Sequence, residues 1–162
     1  MAEEPSVVDI AHARSDEYRR ALTQIAQDGN CPAPYCQDKA DYHTHEIDDS
    51  AQYWRVTQNS FNYKDARLKF LIIHKVHIEN ILDMTLSAWT ELHDIVRRLV
   101  AEHDIKGATL MMRFGDKSFT GGSVTHLHAH LIAGYPRAKN SPPITTLIAY
   151  GRLPESPNNE EE

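Results

Sequence analysis

Apolar residues recur at steps of three and four through Leu86, Trp89, Leu92, Val96, Leu99 and Val100. That spacing gives an α-helix one apolar face, and it predicts a long helix from residue 83 to about 105. Lys106-Gly107 supplies its stop. An earlier stretch has the same period. Val7, Ile10, Ala11, Tyr18, Leu22 and Ile25 fall mostly on one stripe, Ser6 with Asp9 reads as a capping pair, and Gly29-Asn30 ends the run. Elsewhere the period drops to two. Tyr53 to Thr57 alternates and is aromatic and β-branched, predicting a strand that ends near Gln58-Asn59. Phe70 to Ile73 is a short buried strand closing at His74 to His77, Thr109 to Phe114 is another, and Ser123 to Ala133 is a further one. Asn62 to Asp65 is turn-like, Gly115-Asp116-Lys117 and Gly121-Gly122 flank a turn or short hairpin, and Pro136, Pro142 and Pro143 break the chain after the last strand. Ile144 to Tyr150 packs as a last short segment. The order helix, strand, strand, helix, strand, strand predicts an α+β protein with an antiparallel sheet.

A chain of 162 residues suits one domain, here residues 1–150, and the segment 151–162, which ends in three glutamates, is expected to be a disordered acidic tail. The net charge of −6 argues against binding a nucleic acid polymer, which needs a basic surface, but leaves room for a small nucleotide held by local dipoles and histidines. No apolar run approaches the roughly 18 to 20 residues of a membrane span. Residues 1–5 lack the basic and apolar regions of a signal peptide. A cytoplasmic protein without a membrane partner is expected. In a reducing compartment the two cysteines, Cys31 and Cys36, are free thiols or metal ligands rather than a structural disulfide.

The strand from Ser123 to Ala133 changes the picture most. His126, His128 and His130 occupy every second position of an otherwise apolar run. Period two puts all three imidazoles on one face and Leu127, Ala129 and Leu131 on the other. Neighbouring same-face positions lie about 6.5–7 Å apart, close enough to surround one phosphate or one metal ion. Buried polar rings need partners, which makes the row a candidate active site. The bland alternative is an edge strand with incidental histidines, or a divalent-metal sponge, and the apolar inward face argues against a solvated edge. Immediately upstream, Gly121 and Gly122 let backbone N–H groups approach an anion, and Ser123 adds a hydroxyl. Beside three histidines a phosphate cradle is a better reading than a bulge. A neutral imidazole can attack phosphorus if its far nitrogen is fixed as a donor, and a second imidazole can stabilise charge and protonate the leaving group.

Those residues resemble the histidine triad (HIT) family. His126-Leu127-His128-Ala129-His130-Leu131-Ile132 satisfies its His-φ-His-φ-His-φ-φ motif at every position. Around it stand Asn59-Ser60-Phe61, the buried strand Phe70 to Ile73, Lys75-Val76-His77, a long helix and Gly-x-Ser-Val, so the resemblance spans roughly residues 50–135. It implies an antiparallel sheet of about five strands with an N-terminal helix and one long central helix. It implies a nucleotidyl hydrolase or transferase that cleaves at the α-phosphate of a nucleoside phosphate, dinucleoside polyphosphate or phosphoramidate. His128 then is the nucleophile, His130 contacts phosphate and helps the leaving group, Ser123 hydrogen-bonds phosphate or leaving group, and Asn59 reaches the nucleotide, with Gly121 and Gly122 beside the phosphate. A third histidine rather than glutamine is similar to the hydrolase and phosphoramidase branches. The resemblance also implies a homodimer and no organic cofactor. Gly122 stands where the family often has glutamine, Lys69 where many members have histidine, His74 where proline is frequent, and the loop from Asn59 to Phe70 is a few residues long; these departures bear on the substrate more than the chemistry.

The same resemblance implies a structural zinc ion held by Cys31, Cys36, His77 and His126, a Cys₂His₂ set. The Cys-x4-Cys spacing is wider than the family's pair yet falls within the range of zinc sites, and two free thiols remain the alternative. His43 and His45 are competing ligands or solvated. Trp54 and Trp89 are expected in the core, Asp48 and Asp49 as solvated loop carboxylates with a ribose contact as the alternative, and His12, His93 and His103 at the surface. Two rivals stand beside the enzyme reading: a nucleotide-binding module with little turnover, and a metal-dependent hydrolase using His126, His128 and His130 together as its metal site.

Overall fold

The protein is described by a computed structural model that covers residues 8–13, 15–28, 45–59 and 66–137, with isolated positions beyond. The expected tail at 151–162, both cysteines, His43 and the Asn62–Asp65 turn lie outside the described residues, as does most of the segment 144–150.

Helix α1 (Asp16–Asp28) precedes strands β1 (Ile47–Asp48), β2 (Trp54–Gln58) and β3 (Leu68–His74). Helix α2 (Leu86–Glu102) comes next, then β4 (Thr109–Arg113), the one-turn helix α3 (Lys117–Thr120) and β5 (His128–Ala133). The five strands form one antiparallel sheet in the order β1-β2-β3-β5-β4, so the last strand inserts between β3 and β4. This is the α+β architecture expected. Among the described residues no helix is long and apolar enough to cross a membrane.

One face of the sheet is covered by α2. Val56, Phe70, Ile72, Leu127, Ala129, Leu131 and Ala133 meet Ala88, Leu92, Ile95 and Leu99 in a single core. Trp54 is fully buried there, and its indole N–H donates to the Ala88 carbonyl at 2.8 Å, locking β2 to the helix. The helix begins later than its apolar period suggested. Asn80 caps a 3₁₀ turn at Ile81–Asp83, and the Thr85 hydroxyl then accepts from the Ala88 N–H at 3.1 Å. Its buried stripe is also rotated, to Ala88, Leu92, Ile95 and Leu99. Leu86 is 81% exposed and Trp89 40% exposed, so Trp89 is not a core residue. Small Ala88 faces the sheet because Trp54 fills the space beneath it, an exchange of volume between elements that the period of one helix does not reveal.

The N-terminal stretch departs further from expectation. Val8 forms a β-bridge with Val124, a 3₁₀ turn occupies Ile10–His12, and α1 begins only after Ser15, whose hydroxyl accepts from the Tyr18 N–H at 3.1 Å. Ser6 lies outside the described residues. Leu22 and Ile25 pack with Val8 into a second, smaller apolar cluster that Tyr18 and Val124 border.

Candidate functional site

The histidine strand is shorter than its alternation suggested. β5 starts at His128, not Ser123: the last β3 pairing is Ile73 with His128, and His126 sits in a bend ahead of it. Upstream, Val124 is drawn away to Val8, and Leu127 donates its N–H to the Ile78 carbonyl at 2.8 Å. Period two therefore places His128 and His130 on one face, and Leu127, Ala129 and Leu131 lie buried in the α2 core. The His128 and His130 rings stand 5.1 Å apart at 75°. His126 leaves the row and is buried with 1% exposure, its ring edge-on to His77 at 5.0 Å.

A run of backbone carbonyls orients these rings. A carbonyl only accepts, so each ring nitrogen facing one must carry the proton. His128 donates from Nδ1 to the His126 carbonyl at 2.6 Å, and His126 donates from Nε2 to the His74 carbonyl at 2.5 Å. His74 donates from Nδ1 to the Val76 carbonyl at 2.8 Å and sits edge-on to Trp54. The position that departs from the family's proline is thus the foot of a three-histidine ladder. The ladder fixes the tautomers: His128 keeps its lone pair on Nε2, and His126 keeps its lone pair on Nδ1. Burial holds His126 at a pKa of about 3, against a raising hydrogen bond to His74. Burial also pushes His128 below the usual histidine value, with the Arg113 cation adding to it and the bond to His126 opposing it. Both rings are therefore neutral at pH 7.

Arg113 is the residue that the sequence did not single out. It lies directly opposite His128 in the β4–β5 register, which puts both side chains on one face, and its Nε and Nη2 are buried. Its Cδ lies 3.7 Å from where a Gly122 Cβ would stand. The Arg113 side chain thus runs beside the glycine turn, and its permanent charge acts on the candidate nucleophile. The clue was the shared parity of Arg113 and His128 on paired strands, but register between distant segments is invisible to single-strand alternation.

The turn before the histidines is built around α3. The Asp116 carboxylate caps α3 through the Ser118 N–H at 2.8 Å, and Gly121 ends it in the left-handed region at φ 60°, where a side chain would be strained. The Gly121 N–H donates to the Lys117 carbonyl at 3.0 Å and the Gly122 N–H to the Thr120 hydroxyl at 3.3 Å. The two glycines therefore shape the turn, and their amides are engaged within it. A Cβ at Gly122 would come 3.2 Å from the Thr120 hydroxyl oxygen, so a side chain there would require Thr120 to shift. Ser123 lies at the turn's exit with its Oγ 2.6 Å from the Tyr18 hydroxyl.

The remaining candidates fall around this centre. Asn59 is 7% exposed at the end of β2, its N–H bonded to the Lys69 carbonyl. His77 faces His126 on one side and Glu79 on the other, at 3.3 Å. His45 is exposed, and so is Asp49, a loop carboxylate as expected, which pairs with Arg55 and Lys75, each at 2.9 Å; Asp48 instead lies half-buried in β1 and pairs with Arg98 at 2.7 Å. Of the three histidines expected at the surface, His93 is exposed, but His12 and His103 are half-buried. His12 donates from Nδ1 to the Gly122 carbonyl at 3.1 Å, and His103 stacks on Phe70 at 4.9 Å. Among the described residues no three histidine, cysteine or carboxylate groups converge as metal ligands, so His126, His128 and His130 do not form a common metal site.

Residues 62–137 match the model of the HIT domain family. No curated protein matches the chain. Among solved structures it is similar to a histidine triad protein from Clostridium difficile, at 17% identity and TM-score 0.47, covering 62% of this chain and 88% of that one. It is similar also to a HIT family hydrolase from Clostridium thermocellum, at 26% identity and TM-score 0.44, covering 62% and 86%. A third is a zinc-bound histidine triad family protein from Mycobacterium smegmatis, at 15% identity and TM-score 0.45, covering 59% and 69%.

Proposed function

Since this chain is a HIT-family protein, its HIT domain running through residues 62–137, we propose that it cleaves or transfers a nucleotide at the α-phosphate through a covalent nucleotidyl-His128 intermediate. The observation that carries this reading is the bond from His128 Nδ1 to the His126 carbonyl at 2.6 Å. It fixes the proton on Nδ1 and so leaves the lone pair on Nε2, while burial keeps the ring neutral, the form a nucleophile needs.

In the first step Nε2 of His128 attacks the α-phosphorus. The bond to the leaving group breaks with its electron pair, and His130, 5.1 Å from His128 ring to ring, supplies the leaving atom's proton. Arg113 and the Ser123 hydroxyl hold the charge on the phosphoryl oxygens. In the second step water attacks phosphorus, the P–N bond breaks, and its electrons return to Nε2 while the water's proton passes to His130. An acceptor alcohol or phosphate in place of water makes the same chemistry a transfer. Asn59 reaches the nucleotide, and Gly121 and Gly122 let the turn approach the phosphate. Substrates are small nucleoside phosphates, dinucleoside polyphosphates or phosphoramidates in a cytoplasmic setting. The buried Arg113 favours a leaving group that itself carries negative charge.

A structural zinc ion held by Cys31, Cys36, His77 and His126 completes the proposal. Its support in the described residues is the adjacency of the His77 and His126 rings and the tautomer that puts the His126 lone pair on Nδ1. His126 thereby serves the fold rather than the reaction. A homodimer is proposed on the β4 edge, where Thr109 and Leu110 are exposed at the end of the sheet.

The test is intact-mass measurement of protein quenched during turnover of a nucleotide panel, with peptide mapping of any adduct. A nucleotide-mass adduct on His128 is expected; no adduct and no hydrolysis across the panel rejects the enzyme in favour of a binding module. Metal analysis belongs with it. One zinc per chain is expected, and a chelator should lower the melting temperature.

A further inference from the structure

Residues 8–28 lie outside the stretch that matches the HIT domain, yet they are bound onto the turn that precedes the histidines. Val8 bridges Val124, Asp9 donates its N–H to the Ser123 carbonyl at 2.9 Å, and His12 donates to the Gly122 carbonyl at 3.1 Å. Lys117 reaches back to the Val8 carbonyl at 3.4 Å. Val124 itself packs against the apolar cluster of Val8, Leu22 and Ile25. The backbone carbonyls of Gly122 and Ser123 are thus both held by the N-terminal segment.

The segment also delivers a side chain. Tyr18 lies in the first turn of α1, where the Ser15 cap fixes its backbone, and its ring packs on the Leu22 cluster. Its hydroxyl ends 2.6 Å from Ser123 Oγ. A serine hydroxyl has one proton and a free rotor, so alone it divides its time between several acceptors. A phenol donating into its lone pair leaves that proton to point elsewhere, and the two bonds in series strengthen one another.

We propose that Tyr18 is a positioning residue of the phosphate site, its phenol donating to Ser123 Oγ so that the serine's proton is directed at a phosphoryl oxygen. This rests on the reading of Ser123 as a phosphate contact. The N-terminal segment is then a built-on wall of the active site that sets both the backbone and the hydroxyl direction of the turn, and the phosphate, not the base, is what it serves.

A four-protein cycle tests it: the full chain, Tyr18→Phe, Ser123→Ala and the double variant. Phenylalanine keeps the ring packing and removes the donor. Losing a direct oxyanion donor typically costs about 10²–10³-fold, so losing its orienting partner should lower kcat/KM about tenfold. On the Ser123→Ala background the same change should do less than twofold, because its target is gone. Melting curves supply the folded fraction, and rates are taken per folded molecule. An equal loss on both backgrounds, or none on either, overturns the proposal and makes Tyr18 a packing residue. If the parent protein turns over no nucleotide, the enzyme reading falls, and the cycle is read instead as affinity for nucleoside 5′-monophosphates. A Tyr18→Phe weakening that vanishes with Ser123→Ala then upholds the positioning role, and equal affinity in all four proteins overturns it.

Discussion

The two faces of the central sheet are made by the same strands and do opposite things. On one, Leu127, Ala129 and Leu131 meet Leu92, Ile95 and Leu99 of α2 in a dry apolar core. On the other, one residue out of step along β5, stand His128 and His130, with Leu71 and Ile73 of β3 buried beside them. The first face is held by volume, and any residue of similar shape would serve. The second is held by direction: His128 matters because its Nδ1 proton is pinned to one carbonyl, which sets its lone pair on Nε2. Packing energy on one side therefore secures the backbone that hydrogen-bond geometry on the other requires. If this division is real, each face can be broken without breaking the other.

The largest effect is expected from His128→Ala. Removing a covalent nucleophile lowers turnover by about 10⁴-fold or more. The His128 ring is half-buried and lies outside the α2 core, so the melting temperature should shift by no more than about 1 kcal/mol of stability implies. Single-turnover rates beside calorimetric melting check both halves. Loss of fold along with activity would mean that the histidine face also carries the core.

Leu92→Ala is the mirror experiment. Leu92 is 2% exposed at the centre of α2, and truncating a buried leucine costs about 2–5 kcal/mol, through lost burial and the cavity left behind. Denaturant titration should show that loss, while the rate per folded molecule stays within about twofold because no group on the histidine face has moved. A fall in rate without a fall in stability would couple the faces through β5.

The apolar face was the more legible of the two in the sequence. Alternation found β2, β3, β4 and the inward residues of β5, and the three-and-four period found α2, since both patterns report burial directly. What they missed depended on partners. Ala88 rather than Trp89 faces the sheet because Trp54 claims the space and the Ala88 carbonyl. β1 has two residues and becomes a strand only by pairing Ile47 with Thr57. His126 fell out of the row because Val124 is claimed by Val8, more than a hundred residues away in the chain. For the site, the motif named His128, His130 and Ser123 by position. Arg113 and Tyr18 carry no motif; cross-strand register and a distant helix bring them in, neither of which a local pattern encodes.

The smallest effect should come from the rim, where the apolar face is tied to its edge strand by charge. Asp48 in β1 accepts from the hydroxyl and the N–H of Ser50, the largest influences, and from Arg98 of α2 at 2.7 Å. Together these hold its carboxyl at a pKa of about 2, below the roughly 3.9 of an unfolded aspartate. A folded value below the unfolded one means that the native state is the weaker proton binder, so the contribution is fully present above about pH 4. It fades as pH falls through that value toward 2 and is absent below. The carboxylate is about a third exposed, and solvent screening keeps the contribution small. Asp48→Asn should therefore melt slightly earlier than the parent at pH 6 and together with it at pH 2. Because the pair joins β1 to α2 and touches nothing on the histidine face, turnover at pH 7 should be unchanged. A gap in melting temperature that stays constant from pH 6 to pH 2 would show that the asparagine disturbs the Ser50 turn rather than removing a charge.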